Sequence, residues 1–206
     1  MYCMKYQYIV GIDEVGRGPV AGPVYVCGVL IECELLDEIV SGSQDPLRDS
    51  KKLTEKMRLR WFEYLKKLKQ EKKISYHIAS LPARVVDAYG INPSIQTCID
   101  GMLKKLIPET IRDKTLVMLD GGLSAPVAYP QETQIRGDEN IPSIGLASII
   151  AKVSRDEYMT RLNSSYPQYE FTNHKGYGTK KHMELIQKYG PCEEHRLSFL
   201  KKILNT

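Results

Sequence analysis

The chain has 206 residues, 42% hydrophobic and 26% charged, with a formal net charge of +4. That length supports one domain with a sizeable core, or one domain and a small appendage, and the mild basicity permits a polyanionic partner without requiring one. No stretch approaches the roughly 18 apolar residues of a transmembrane helix, the start Met1-Tyr2-Cys3-Met4-Lys5-Tyr6-Gln7 has no signal-peptide core, and Cys3, Cys27, Cys33, Cys98 and Cys192 form no C-x-x-C pairing, which argues for free thiols in a reducing cytoplasm and against structural zinc.

Tyr8 to Ile12 is apolar apart from Gly11, which predicts a central strand covered on both faces. It runs into Asp13-Glu14 and the turn Gly16-Arg17-Gly18. Pro23 to Ile31 predicts a second buried strand, and 32–50, with Ser41-Gly42-Ser43 and Asp45-Pro46, reads as a polar loop. Thr54 caps a helix over about 55–70 whose apolar stripe is Met57, Trp61, Leu65 and Leu68. Ile74 to Leu81 predicts a third strand, and helices follow near 83–89 and 94–106. Thr115 to Leu119 is a short buried strand that ends on Asp120, before Gly121-Gly122. Glu132 to Arg136 reads as a further strand, ending at Gly137-Asp138. A long helix starts behind Pro142 and runs to about 163. A basic, glycine-containing segment, His174 to His182, precedes a last helix over about 180–189, closed by Gly190-Pro191. This order predicts one α/β layer sandwich with a mixed sheet, and a small C-terminal appendage.

Asp13-Glu14, Asp120 and Asp138 each fall just past a predicted strand end, close to glycine. Ligand sites of α/β sheets gather at strand ends. Carboxylates converging there repel one another without a cation, and their hard oxygens suit Mg²⁺ or Mn²⁺. Two such ions roughly 4 Å apart hold the attacking and leaving oxygens of a phosphoryl transfer. Asp120 or Asp138 taken singly reads equally well as a turn residue. Gly16-Arg17-Gly18 reads either as a backbone nest for sugar or phosphate or as a turn with a solvated arginine. Ser148, Lys152 and Asp156 share one face of the long helix, and Ala147, Ala151 and Ser154 make a small-residue face beside it for close approach to the sheet. Lys152 either offsets the acids or pairs with Asp156. Tyr177, among cations and glycines, is placed to stack on a sugar or base, although an exposed basic loop has the same composition. His77, His174, His182 and His195 form no His-x-x-x-His pair, which disfavours a zinc enzyme.

Taken together, these segments resemble the ribonuclease HII family, the type 2 ribonucleases H. The resemblance lies in Gly11-Ile12-Asp13-Glu14-Val15-Gly16-Arg17-Gly18-Pro19 with Ala21-Gly22-Pro23, in Asp49-Ser50-Lys51-Lys52-Leu53, in Leu119-Asp120-Gly121 and Arg136-Gly137-Asp138, in the run from Ala147 to Asp156, in His174 to Thr179, and in His195-Arg196-Leu197-Ser198-Phe199. It implies a ribonuclease H-like fold: a five-stranded mixed sheet flanked by helices, in a single catalytic domain over 1–206 whose end, from about 170, is a helical substrate-binding segment. It implies that Asp13, Glu14, Asp120 and Asp138 are catalytic and hold two Mg²⁺ or Mn²⁺ ions, with Asp156 acting behind them. The activity implied is hydrolysis of the RNA strand of RNA–DNA hybrids, and nicking 5′ of single ribonucleotides embedded in duplex DNA, leaving 3′-hydroxyl and 5′-phosphate ends. That is work of replication and ribonucleotide excision repair, by a cytoplasmic monomer. Gly16, Arg17, Gly18 and Tyr177 would sense the 2′-hydroxyl, and Lys52, Ser148 and Lys152 would contact phosphates. Leu200 to Leu204 lacks the glutamine and paired aromatics of a clamp-binding motif.

Overall fold

A computed structural model describes residues 5–47 and 53–204. Asp49 to Lys52, and with them the expected phosphate contact Lys52, lie outside the described residues. Five strands form one sheet in the order β3-β2-β1-β4-β5. β1 (Tyr8–Val15) runs antiparallel to β2 (Val24–Glu32), and β2 antiparallel to β3 (Ile74–Leu81). On its other side β1 runs parallel to β4 (Thr115–Asp120), and β4 parallel to β5 (Gln131–Gln134). The sheet is therefore mixed and five-stranded, as the sequence implies.

Alternation along β1 divides the core. Ile9 packs on the face covered by α2 (Glu55–Gln70) and α6 (Pro142–Ser165), where Trp61, Leu65, Ala147 and Ala151 are buried. Val10 and Ile12 face the opposite layer, α3 (Ala83–Tyr89) and α4 (Ile91–Leu106), with Val86, Ile99 and Met102. α6 is the longest helix described, opened by Pro142 in its first turn, where a missing N–H removes no helical bond. A satellite cluster joins the end of α6 to α7 (Phe171–His174), α8 (Lys180–Tyr189) and α9 (Leu197–Leu204). Val20 and Ala21, from the β1–β2 connection, belong to that cluster, so the C-terminal elements are seated on the turn that follows β1.

Several elements depart from the sequence expectation, among them α7 (Phe171–His174) and α9 (Leu197–Leu204), the latter beyond the helix over 180–189 that the sequence reads as the last. β1 continues to Val15, so Asp13 and Glu14 lie within the strand rather than beyond it. The reason is asymmetric pairing: the β4 ladder stops at Ile12–Leu119, while β2 carries β1 on through Asp13–Cys27, Glu14–Val26 and Val15–Tyr25. The expected loop 32–50 contains a 3₁₀ turn, Cys33–Leu35, and α1 (Leu36–Ser41). Its short stripe buries Ile39 and half-buries Leu36 and Val40, and Asp37 and Glu38 favour its N-terminus. β5 sits at 131–134 instead of 132–136, because Arg136 turns left-handed (φ 56°) and starts α5 (Gly137–Asn140). α4 begins at Ile91 instead of 94, since Pro93 is tolerated in a first turn.

Candidate active site

The β1–β4 ladder ends at Ile12–Leu119, so the next residues, Asp13 and Asp120, emerge side by side on adjacent strands. They open onto a cleft of about 370 Å³ that Glu14, the Gly16-Arg17-Gly18 turn, Ser148, Lys152 and Tyr177 also line. Asp13 is 7% exposed. Its Oδ1 accepts the Glu14 N–H at 2.8 Å, and the Ser148 hydroxyl donates to the same carboxyl. Those bonds do not offset its burial and the charges of Glu14, Asp120 and Asp138, which push its pKa up to about 8. Glu14 is also raised by burial, against an opposing pull from Arg17, whose Nε donates to Oε1 at 2.9 Å. Asp120 Oδ1 accepts the Gly137 N–H at 2.6 Å, which ties β4 to the start of α5.

Asp138, on α5, does not line this cleft. It is 2% exposed and faces an adjoining cavity of about 380 Å³ beside Leu47 and Pro142, though its charge reaches Asp13. Among the described residues, no three carboxylate, imidazole or thiol side chains are gathered closely enough to hold an ion as they stand. The donor chemistry nonetheless fits a hard divalent cation. The acids offer oxygen donors only, and a carboxyl whose pKa is raised by burial first and by the charges of its neighbours after that marks a site short of positive charge.

The two glycines of the turn differ. Gly16 has φ +92°, and a Cβ there would meet Arg155 Nε at 2.4 Å and the Pro23 carbonyl at 2.8 Å, so the fold itself requires glycine. A Cβ at Gly18 would meet nothing within 4 Å. Arg17 is not a free solvated side chain: besides Glu14 it donates to Asn92 Oδ1 at 2.6 Å. Tyr177 is 42% exposed, with Lys152 Nζ 6.0 Å from its ring centroid. Lys152 both lines the cleft and pairs with Asp156 at 2.9 Å. Asn92 and Arg58, which lines the cleft while donating to the Leu53 carbonyl, were not expected from sequence. Neither belongs to a motif; tertiary packing of α4 and α2 brings them there.

Three of the four histidines gather beneath Tyr177. The rings of His174 and His182 stack 3.9 Å apart, and Nε2 of His182 lies 3.1 Å from Nε2 of His195. The partners assign the tautomers. His174 Nε2 donates to the Tyr169 carbonyl and His182 Nδ1 to the Tyr177 carbonyl. The Cys192 N–H donates to His195 Nδ1, which leaves His195 Nε2–H to donate to His182. The neutral network is satisfied, and burial lowers both His182 and His195 to about 4. With folded values below the ordinary 6.5, the unfolded chain binds protons first. Their contribution is present above about pH 6.5 and lost as pH falls toward 4. The melting temperature should drop on the order of 5 °C between pH 7 and pH 4.5, and less in His195→Gln. Equal acid sensitivity of the two proteins would exclude the network as the cause.

Among the described residues no helix is long and apolar enough to cross a membrane. The sheet order, in which only β2 runs against the other four strands, and the helices on both its faces define a fold of the ribonuclease H type. The family described as Ribonuclease HII matches residues 10–202. The ribonuclease HII of Caldicellulosiruptor bescii is 42% identical over 200 residues, covering 97% of this chain and 90% of that protein. The crystal structure of ribonuclease H2 from Pyrococcus horikoshii OT3 superposes with a TM-score of 0.74 at 20% identity, covering 96% of this chain and 97% of that one. That of Bst-RNase HIII in complex with Mn²⁺ superposes with a TM-score of 0.66 at 16% identity, covering 100% of this chain and 72% of the other. The chain belongs to the ribonuclease HII family, and is a ribonuclease H-type hydrolase.

Proposed function

We propose that this protein is a metal-dependent endonuclease that hydrolyses the RNA strand of RNA–DNA hybrids and nicks 5′ of single ribonucleotides in duplex DNA. The observation that carries the reading is geometric: buried Asp13 and the adjacent Asp120 emerge at the end of the β1–β4 ladder into one cleft with Glu14, a glycine turn and an exposed tyrosine. Asp13, Glu14, Asp120 and Asp138 would hold two Mg²⁺ or Mn²⁺ ions. When bound, such ions activate a water and stabilise the leaving 3′ oxygen, giving 3′-hydroxyl and 5′-phosphate ends. The chain's own residues bind and orient. Ser148 holds the Asp13 carboxyl in place, and Lys152, steadied by Asp156, meets a phosphate. Gly18 lets the backbone approach the sugar, and Gly16, Arg17 and Tyr177 complete a sensor for the 2′-hydroxyl, the group that separates RNA from DNA.

Three end-labelled duplexes test this: an RNA–DNA hybrid, DNA carrying one ribonucleotide, and all-DNA, each with Mg²⁺ or Mn²⁺. Cutting of the first two and not the third is expected. No cleavage with either metal would sink the reading, and cleavage of all-DNA would replace it with a general nuclease. Tyr177→Ala should slow nicking at a single ribonucleotide by about 5- to 160-fold, the worth of one lost stack at roughly 1–3 kcal/mol. An unchanged rate removes Tyr177 from sensing.

A further inference from the structure

Arg155, on α6, and Arg196, just before α9, are fully buried. Every hydrogen bond their guanidinium groups make among the described residues ends on a main-chain carbonyl. Arg155 donates from Nε to Pro23 (3.0 Å), from Nη2 to Ala21 (3.1 Å) and from Nη1 to Lys175 (2.9 Å). Arg196 donates from Nε and Nη2 to Gly22 (3.0 and 2.8 Å) and from Nη1 to Arg17 (3.2 Å). Two like charges buried without a carboxylate in contact oppose folding, by several kcal/mol each in general. Stability alone therefore does not account for them.

Their bonds converge on one place. The chain between Val15 and Val24 is in neither strand, and neither is the Lys175–Tyr177 segment, so no sheet ladder sets how the two meet. A few main-chain bonds cross between them: Val20 and Ala21 N–H to the Gly176 carbonyl, at 2.9 and 3.2 Å. Arg155 spans the same junction, from Ala21 and Pro23 on one side to Lys175 on the other. Arg196 works within the β1–β2 connection, tying Arg17, in the middle of the glycine turn, to Gly22, which lies between the two carbonyls that Arg155 holds. Gly16 fits the same device, since it leaves the room that Arg155 Nε occupies. A planar fork with several fixed donors reaches three carbonyls at once; a lysine ammonium does not.

We propose that Arg155 and Arg196 are positioning residues that act in series, Arg196 tying Arg17 to Gly22 and Arg155 tying the adjoining Ala21 and Pro23 to Lys175, so that together they fix the Gly16-Arg17-Gly18 turn relative to the Tyr177 segment and set selectivity for a ribonucleotide at a junction without touching substrate. The inference rests on the reading of those two elements as the sugar sensor. The test compares wild type, Tyr177→Ala, Arg155→Met, Arg196→Met, Arg155→Lys and Arg196→Lys, as full chains with Mn²⁺. Thermal unfolding, amide exchange, and kcat/KM on the hybrid and on the one-ribonucleotide duplex are measured for each. The methionine variants should stay folded and exchange faster at Val20 and Ala21. They should lose about 10- to 100-fold more kcat/KM on the single ribonucleotide than on the hybrid, as expected when two halves of a site shift by an ångström. The lysine variants should recover part of that loss. Equal loss on both substrates, or none, in folded variants overturns the clamp. If a methionine variant does not fold, its lysine counterpart carries the test: a selective loss supports the clamp and an equal loss overturns it. A wild type that does not nick single ribonucleotides overturns the sensor and the selectivity role together. Selective loss in Tyr177→Ala but in neither arginine series overturns the clamp alone.

Discussion

Asp13→Asn is expected to reduce metal-dependent cleavage by at least about 10³-fold while leaving the fold intact. A divalent ion contributes several kcal/mol of charge stabilisation in the transition state, and each ~1.4 kcal/mol is tenfold in rate. Asp138→Asn should fail comparably, although Asp138 faces the adjoining cavity, because the proposed ion site draws a negative oxygen donor from it. Stability supplies a second readout that does not depend on turnover. The folded Asp13 pKa, about 8, lies above the ordinary 3.8, so the native protein holds a proton that the unfolded chain has released. The stabilising effect of that proton is complete below pH 3.8 and is lost as pH rises through 8. Metal-free Asp13→Asn should therefore melt above metal-free wild type at pH 8, and the gap should widen from pH 4 upward before levelling. Adding Mg²⁺ or Mn²⁺ narrows that gap. At ~100 times its Kd, an ion that binds only the native state adds about 2.7 kcal/mol, or roughly 5–10 °C for a chain of this length, to wild type but not to the variant. A wild-type melting temperature indifferent to either metal, or a variant with near-normal rate, would dismiss Asp13 as a ligand.

The parts of this site legible in the sequence are those where one residue's neighbours in the chain are also its neighbours in space. An apolar run that ends on Asp13-Glu14, and a second that ends on Asp120, announce themselves, because a strand end and its acid are consecutive. The register that sets Asp13 beside Asp120 is not local, since it depends on β4 pairing in parallel with β1. The strand was also read as three residues too short, because pairing with β2 alone carries Asp13, Glu14 and Val15 forward. Asp138 was expected in line with the other acids; a left-handed Arg136 instead folds it into α5 and behind the cleft. The polar flanks of 32–50 hid α1, whose stripe is too short to stand out. Arg155 and Arg196 lie inside the motifs that carry the resemblance, but nothing in composition says that a guanidinium will be buried on carbonyls contributed from more than 100 residues away. Asn92, which holds Arg17, and Arg58, which lines the cleft, gave no signal, because their places come only from how α4 and α2 pack.

Gly11→Ala is expected to be the most destabilising single-methyl change in the chain, and it separates the roles of two glycines a few residues apart. In sequence Gly11 only interrupts an apolar strand. In the structure it is where α6 rests on β1. A Cβ at Gly11 would lie 2.0 Å from the Ser143 carbonyl carbon, 2.1 Å from its oxygen and 2.4 Å from the Ile144 nitrogen. All three are backbone atoms in the first turn of α6, so no side chain can swing aside; the helix must lift. Small residues on the facing side, Ala147 and Ala151, are buried at the same seam and have no slack to give. Overpacking a core ordinarily costs about 1–3 kcal/mol, and a helix displaced whole belongs at or above that upper end, a fall of roughly 6–12 °C. α6 also carries Ser148, Lys152 and Arg155, so cleavage should fall with stability rather than independently of it. Gly18→Ala provides the opposite case. Its Cβ would enter open space, so unfolding should move by no more than about 0.5 kcal/mol. If the backbone there approaches the sugar, as the sensor reading requires, cleavage of the one-ribonucleotide duplex falls at unchanged stability. A Gly18→Ala protein with both stability and nicking intact would show that the open side of the turn is not where substrate comes close.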